Sequence, residues 1–157
     1  MTETERLYDI VRKLRSEDGC PWDRQQTHTS LKPECIEEAA EVISGINILE
    51  TTGDADNLKE ELGDLLLQVM FHAVIAEEEG LFTFDDVAAT VSEKMIRRHP
   101  HVFSQVIYSS KEEQHAAWEA IKKAEKEGKE WHEEYLRKAF DESKALIEKA
   151  KQRKGYE

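Results

Sequence analysis

Residues 34–75 read ECIEEAAEVISGINILETTGDADNLKEELGDLLLQVMFHAVI, two apolar helical patterns joined by one turn signal. The first half carries apolar residues three and four positions apart from Ile36 to about Leu49. The second half begins between Asp54 and Asn57 and is apolar on almost every face, which is typical of a central helix enclosed by partners. Thr51-Thr52-Gly53-Asp54 is typical of a turn. We therefore expect an antiparallel helical hairpin.

Helical patterns also flank this hairpin on both sides. Thr2 or Thr4 is a candidate cap for a first helix, Ser30 for the hairpin's first helix, and Thr83 for a helix that stops before Pro100. Ser110 with Glu113 has capping-box spacing, and residues 131–154 form a charged helical tail. Residues 19–28 are rich in turn formers and predict a loop. No stretch alternates as a strand, so the predicted fold class is all-α.

Composition excludes several classes of partner. The 157 residues carry a formal net charge of −12, which disfavours binding to nucleic acid polymers or anionic membranes. No apolar run approaches the ~20 residues of a membrane span, and the N-terminus lacks the features of a signal peptide. We expect a cytoplasmic protein in which Cys20 and Cys35 are free thiols. A zinc site formed by these cysteines and His28 is disfavoured because no Cys-x-x-Cys pair is present.

Acidic residues line one side of each hairpin helix. The first helix carries four at positions i, i+3, i+4 and i+7, and the second carries three: Glu34, Glu37, Glu38 and Glu41, then Glu60, Glu61 and Asp64. Such stripes are commonly solvated faces. Here, however, no Lys or Arg occurs between Lys32 and Lys59, so local ion pairs cannot neutralise the stripe.

The acids also occupy matching positions about the turn. Glu38 and Asp64 are equally distant from Thr51 along the sequence, and so are Glu41 and Glu61. An antiparallel hairpin would bring these four carboxylates to one level. A cluster of this kind either has raised pKa values or holds divalent metal. Oxygen ligands favour Mg²⁺ or Mn²⁺ over zinc.

The run EEAAE (37–41) followed by ELGD (61–64) resembles the EExxE…ExxD motif of MazG nucleotide pyrophosphohydrolases. Four further stretches resemble the N-terminal type of MazG domain: GCPWDRQQTH (19–28), ELGDLLLQVMFHA (61–73), KMIRRHPHVF (94–103) and WEAIKKAEK (118–126). The likeness covers residues 5 to 127. Residues 34–36 depart from the pattern, which we expect to affect packing rather than chemistry.

The resemblance implies an activity and a set of metal ligands. The activity is Mg²⁺-dependent hydrolysis of nucleoside triphosphates to monophosphate and pyrophosphate. The implied ligands are Glu38, Glu41, Glu61 and Asp64, and Glu37 would orient or deprotonate the attacking water. It also implies a domain over residues 1–128, an all-α NTP pyrophosphatase bundle, with a helical extension at 129–157. Because two acidic helices are half of a usual bundle, we expect a homodimer, or a higher homo-oligomer, to complete a four-helix core.

Phosphate contacts must come from side chains, because the chain has no P-loop motif. The resemblance implies the cations Lys94, Arg97, Arg98 and Lys122. For base and sugar, the stacking and hydrogen-bonding candidates are Trp22, Gln26, His28 and Trp118. Alternative roles are a core plug for Trp22 and a helix cap for His28, and His72 is interpreted as a core histidine.

Two other classes of protein compete with this interpretation. A noncatalytic helical adaptor would account for the charged tail but not for the stripe without cations. A di-iron carboxylate bundle requires two Glu-x-x-His pairs, and only Glu112 and His115 fit that spacing. The sequence leaves open which nucleotide is the substrate, the number of metals, the role of the tail and whether the chain belongs to a longer protein.

Overall fold

The computed structural model describes residues 1–156 and confirms the all-α fold class. In this described part the chain forms eight helices and no strand. They are α1 (Glu3–Arg15), α2 (Pro21–Gln25), α3 (Lys32–Thr52), α4 (Asp56–Glu78), α5 (Phe84–Arg98), α6 (Pro100–Phe103), α7 (Lys111–Lys126) and α8 (His132–Lys154). None of the described helices is long and apolar enough to span a membrane.

Helices α3 and α4 form the predicted hairpin and pack closely. At Gly45 an added Cβ would lie 2.8 Å from the Leu58 Cα, so the two backbones approach more closely than a side chain at position 45 would allow. Gly53 ends α3 in the left-handed region, with φ of 79°. The prediction that α3 ends near Leu49 was wrong. Thr51 and Thr52 continue the helix, and their hydroxyls donate to backbone carbonyls one turn earlier.

The core lies where α1 packs against the second half of α4. Val11 and Met70 are fully buried, and Leu31 at the start of α3 closes the same cluster. Arg15 is almost entirely buried, and its charge has partners there. Its guanidinium pairs with Glu78 at 2.7 Å and donates to two backbone carbonyls in the following segment. That arginine therefore attaches α2 to α1 and α4.

Helix α4 is buried along only part of its length, which corrects the expectation of a fully enclosed helix. Met70, Phe71 and residues 73–76 are buried, whereas Leu62 is 50% exposed and Leu66 is 36% exposed. The first half of α4 packs on α3 with one face and leaves an apolar face uncovered in the described chain.

Two of the predicted caps are present. Thr2 forms a complete capping box with Glu5, and the Ser110 hydroxyl accepts from the Glu113 N–H at 3.1 Å. Ser30 does not cap α3, because its hydroxyl accepts from the Thr27 N–H and donates to a side chain in the preceding segment.

The interpretation of residues 19–28 as a loop was also incomplete, since they contain α2. Pro21 occupies the first turn of this five-residue helix, where its missing N–H costs nothing. The Arg24 N–H donates to the carbonyl of Cys20 at 3.0 Å. A helix this short has no apolar period from which to predict it.

The chain divides into two compact units. The first contains residues 1–84 and, of the described residues, 140–156, so it holds α1 to α4 and the C-terminal part of α8. The second contains residues 85–139, with α6, α7, nearly all of α5 and the start of α8. The hairpin and its acids belong entirely to the first unit.

Candidate active site

The hairpin brings carboxylates from both helices to one place. Glu38 on α3 and Glu61 and Asp64 on α4 each present an oxygen, and these three oxygens lie within 4.8 Å of one another. Glu61 is held in position by Asn57 one turn earlier, whose Nδ2 donates to Glu61 Oε1 at 2.8 Å. Three of the four predicted metal ligands therefore converge.

Glu38 has the most unusual environment of the three. Its Oε2 is buried and has no hydrogen-bond partner among the described residues. Burial, followed by the charges of neighbouring acids, raises the Glu38 pKa to about 7; those acids are Glu41, Asp64, Glu34 and Glu61. A buried carboxylate oxygen without a donor costs free energy, and a cation would remove that cost.

Glu41, the fourth predicted ligand, lies beside the cluster rather than within it. Glu41 and Glu61 line one cavity. The Glu41 carboxylate accepts a hydrogen bond from the Lys154 ammonium, at the end of α8. In this state the counter-charge of Glu41 is a lysine.

Glu37 is the most buried acid of the stripe and is also paired with α8. Arg153 donates to Glu37 Oε2, and Lys154 Nζ lies 3.5 Å from Glu37 Oε1. The hydrogen bond from Arg153 is the main reason that the Glu37 pKa lies below its ordinary value. Glu37 is therefore ionised at neutral pH and accepts hydrogen bonds.

The residues that sequence reasoning missed here are Arg153 and Lys154. The absence of cations between Lys32 and Lys59 indicates that any counter-charge must come from a distant segment, but no local pattern identifies which one. The structure supplies it from the charged tail. Glu37 and Glu41 receive a cation, and no ion pair reaches Glu38 among the described residues.

The chemistry of the cluster fits a hard divalent cation. All the available ligand atoms are carboxylate oxygens, which suit Mg²⁺ or Mn²⁺. The buried Glu38 oxygen has no hydrogen-bond partner in the described chain. Glu38, Glu61 and Asp64 are the residues that could hold the ion. Glu41 could join them if Lys154 releases it.

The candidates in the first loop have other partners. Gln26 donates to the Trp22 carbonyl at 3.1 Å, and Trp22 is 61% exposed, so it does not plug the core. His28 Nδ1 lies 2.7 Å from His72 Nδ1, and the two rings stack. Burial, followed by the nearby His28, lowers the His72 pKa.

Cys35 Sγ lies 3.2 Å from His72 Nε2, and burial raises the Cys35 pKa. Both cysteines are free thiols, as expected. Among the described residues, Glu38, Glu61 and Asp64 form the only group of three or more acidic, histidine or cysteine side chains whose ligand atoms all lie within 4.8 Å of one another. That group contains none of Cys20, His28, Cys35, Glu112 and His115.

The remaining candidates belong to the second unit. Arg97 and Arg98 both pair with Glu125 at 2.6 Å, and Lys122 Nζ lies 4.0 Å from the centroid of the Trp118 ring. Lys94 lines a cavity with both arginines. The proposed roles of these residues in binding phosphate or base stay predictions.

Known proteins are similar to this chain over the segment that contains the acidic hairpin. Residues 26–103 match the model of the MazG nucleotide pyrophosphohydrolase domain. A nucleoside triphosphate pyrophosphohydrolase/pyrophosphatase MazG of Thermotoga maritima is 54% identical over 123 residues, 78% of this chain and 45% of that protein. A nucleoside triphosphate pyrophosphohydrolase of Escherichia coli K12 is 44% identical over 133 residues, 84% of this chain and 49% of that protein.

YabN of Bacillus subtilis, an uncharacterized protein, is 54% identical over 117 residues, 74% of this chain and 23% of that protein. The chain thus spans half the length or less of these relatives. The matched segment contains the whole acidic hairpin, and the similarity extends beyond it along most of the chain. The chain belongs to the MazG nucleotide pyrophosphohydrolase family.

Proposed function

We propose that this chain hydrolyses nucleoside triphosphates to nucleoside monophosphate and pyrophosphate, with Mg²⁺ as its cofactor and Mn²⁺ as a substitute. Water adds to the triphosphate and the P–O bond linking the α and β phosphates breaks. The names of the Thermotoga and Escherichia relatives, both pyrophosphohydrolases, support this reaction.

The observation that carries the proposal is the convergence of Glu38, Glu61 and Asp64 around an unpartnered buried oxygen. Without a bound cation, these clustered carboxylates would repel the negative charge of a triphosphate. Glu38, Glu61 and Asp64 would hold a divalent cation, which would supply positive charge, polarise phosphoryl oxygens and make water more nucleophilic. Gly45 lets the two helices approach closely, which fixes the positions from which these acids would hold that charge.

Glu37 is proposed to orient the attacking water. It is buried, ionised and one residue from Glu38, so it offers an acceptor for a water proton beside the cluster. Arg153 and Lys154 keep it ionised in the described state. The predicted phosphate contacts Lys94, Arg97, Arg98 and Lys122 belong to the same proposal, as do the domain limits at residues 128 and 129.

A homodimer is proposed to complete the bundle. The faces of α3 and α4 that remain uncovered carry large apolar residues at helical spacing, which are Ile43, Ile46, Leu62, Leu66 and Val69. Contiguous exposed apolar patches commonly mark association surfaces. A second copy of the hairpin presents the same apolar chemistry and would bury them.

The proposed setting is control of the nucleotide pool in the cytoplasm. The direct test is to incubate the protein with a triphosphate and Mg²⁺ and to separate the products by anion-exchange chromatography. Monophosphate with pyrophosphate is the expected result. Diphosphate with inorganic phosphate, or no turnover with either Mg²⁺ or Mn²⁺, would contradict the proposal.

A further inference from the structure

A cavity of about 460 Å³ lies inside the first unit between α3, α4 and the end of α8. Two predicted metal ligands, Glu41 and Glu61, line it together with Glu37. The cavity is therefore adjacent to the place where the phosphates of a substrate would be held. A ligand anchored by its phosphates at the acids would have its remaining part directed into this space or into solvent.

The size and walls of the cavity suit a largely apolar organic group. Ligand pockets typically enclose about 300–1,000 Å³ and are lined by apolar surface with a few polar groups. The apolar lining comes from α3 and α8: Ile36, Ala40, Ile48, Ile147 and Ala150. Ser44 adds a hydroxyl.

Asn57 lines this cavity, and its side-chain amide has a fixed orientation. Its Nδ2 donates to Glu61 Oε1 at 2.8 Å, and because a carboxylate can only accept, the amide cannot be turned around. Its Oδ1 is buried and has no partner among the described residues. Because this oxygen has almost no accessible surface, it does not open into the cavity, and Asn57 instead joins the cavity wall to the predicted metal ligand Glu61.

The C-terminal segment closes one side of the cavity. Gly155 has a positive φ of 74°, and the Tyr156 N–H donates to the Lys151 carbonyl at 2.9 Å, so the chain turns back after α8. Tyr156 and Lys151 both line the cavity. An aromatic ring in such a wall is a surface on which a nucleobase stacks.

We propose that this cavity receives the nucleoside part of the triphosphate, with the end of α8 as its wall. The inference rests on the proposed hydrolysis and adds a substrate subsite to it. It places the nucleoside away from the first loop, because Trp22, Gln26 and His28 do not line this cavity.

The experiment compares two ligands that share a triphosphate. One is an α,β-methylene nucleoside triphosphate, which is not cleaved at the scissile bond, and the other is inorganic tripolyphosphate, which has no nucleoside. Equilibrium dialysis with Mg²⁺ measures both affinities. Failure of the wild-type protein to bind either ligand would refute the proposed function, a result distinct from failure of the subsite.

Ala150→Phe fills the cavity from α8, away from the acids. We expect it to weaken binding of the nucleotide analogue by roughly tenfold or more and to leave tripolyphosphate binding unchanged. Ala145→Phe, an exposed position of α8 outside the cavity lining, is the matched control and should change neither affinity. Unchanged analogue binding in Ala150→Phe, or equal losses for both ligands, would overturn the subsite.

Tyr156→Ala provides a second variant at the end of the chain, where loss of folding is not a concern. It should weaken analogue binding several-fold and leave tripolyphosphate binding intact.

Discussion

Arg153 near the end of α8 donates a hydrogen bond to Glu37 on α3, across 116 residues of sequence. Lys154 makes the corresponding contact with Glu41. The acidic stripe, which has no local counter-charge, is thus partly neutralised by the tail, and Glu38 is left without a cation. A divalent ion that recruits Glu41 has to compete with Lys154.

This competition predicts a gain in metal affinity when the two cations are removed. The double variant Arg153→Gln with Lys154→Gln leaves Glu37 and Glu41 without their counter-charges, so Mn²⁺ or Mg²⁺ should bind several-fold more tightly by calorimetric titration. The double variant Lys144→Gln with Lys149→Gln removes the same charge from exposed positions of α8 that form no ion pair within the described chain. If both double variants changed the metal affinity equally, the change would come from net charge alone, and the proposed competition with Lys154 would be contradicted.

The raised pKa of Glu38 predicts how the stability of the metal-free protein depends on pH. Its pKa is about 7 in the folded protein against an ordinary 4.5, so its contribution to stability is complete below pH 4.5 and is lost as pH rises through 7. In EDTA we expect the wild-type protein to be less stable at pH 8 than at pH 5.

Glu38→Gln should therefore be more stable than wild type at pH 8 by about 1–2 kcal/mol, after allowance for solvent screening. Urea denaturation in EDTA at both pH values measures this difference. Glu50→Gln, an exposed acid at the other end of α3, is the control and should leave the pH dependence unchanged. The account of Glu38 fails if its variant and the control behave alike.

The close approach of α3 and α4 predicts opposite effects at two glycines. Gly45→Ala places a methyl group against the Leu58 backbone and should destabilise the protein by roughly 1–3 kcal/mol. Gly63 has open space around its missing side chain, so Gly63→Ala should be neutral or stabilise by up to about 1 kcal/mol. Chemical denaturation compares the two. Equal stability of both variants would contradict the close approach.

The uncovered apolar face predicts a homodimer. Light scattering should give about twice the monomer mass of 18.2 kDa. Leu62→Glu places a charge on that face and should yield the monomer. Ile107→Glu, at an isoleucine that is 91% exposed in the second unit, should not. A wild-type protein that is purely monomeric would refute this assembly.

Much of the fold could be predicted from local pattern, because helical spacing and caps act within one or two turns. The hairpin, its turn and the capping residues Thr2 and Ser110 are of this kind. Helix α2 could not be predicted, since five residues are too few to show a helical spacing of apolar side chains. The prediction at Ser30 failed because its hydroxyl has a competing local partner.

The acid cluster could be predicted for the same reason. Glu38 lies as far before Thr51, near the turn between α3 and α4, as Asp64 lies after it, and Glu61 is one helical turn from Asp64. These residues therefore meet when the two helices pack antiparallel. The contacts of the tail could not, because nothing near Arg153 in the sequence specifies Glu37. Likewise the pairing of His28 with His72 depends on packing between segments 44 residues apart.

The most direct test of the carboxylate cluster is the turnover of a nucleoside triphosphate by Asp64→Asn beside Glu60→Gln, an exposed neighbour on the same helix. Both variants should fold, as circular dichroism would verify. Asp64→Asn should lose activity by about a hundredfold or more, because a ligand of the metal is gone, and Glu60→Gln should retain it. Wild-type turnover in Asp64→Asn would contradict the central claim that these acids hold the catalytic cation.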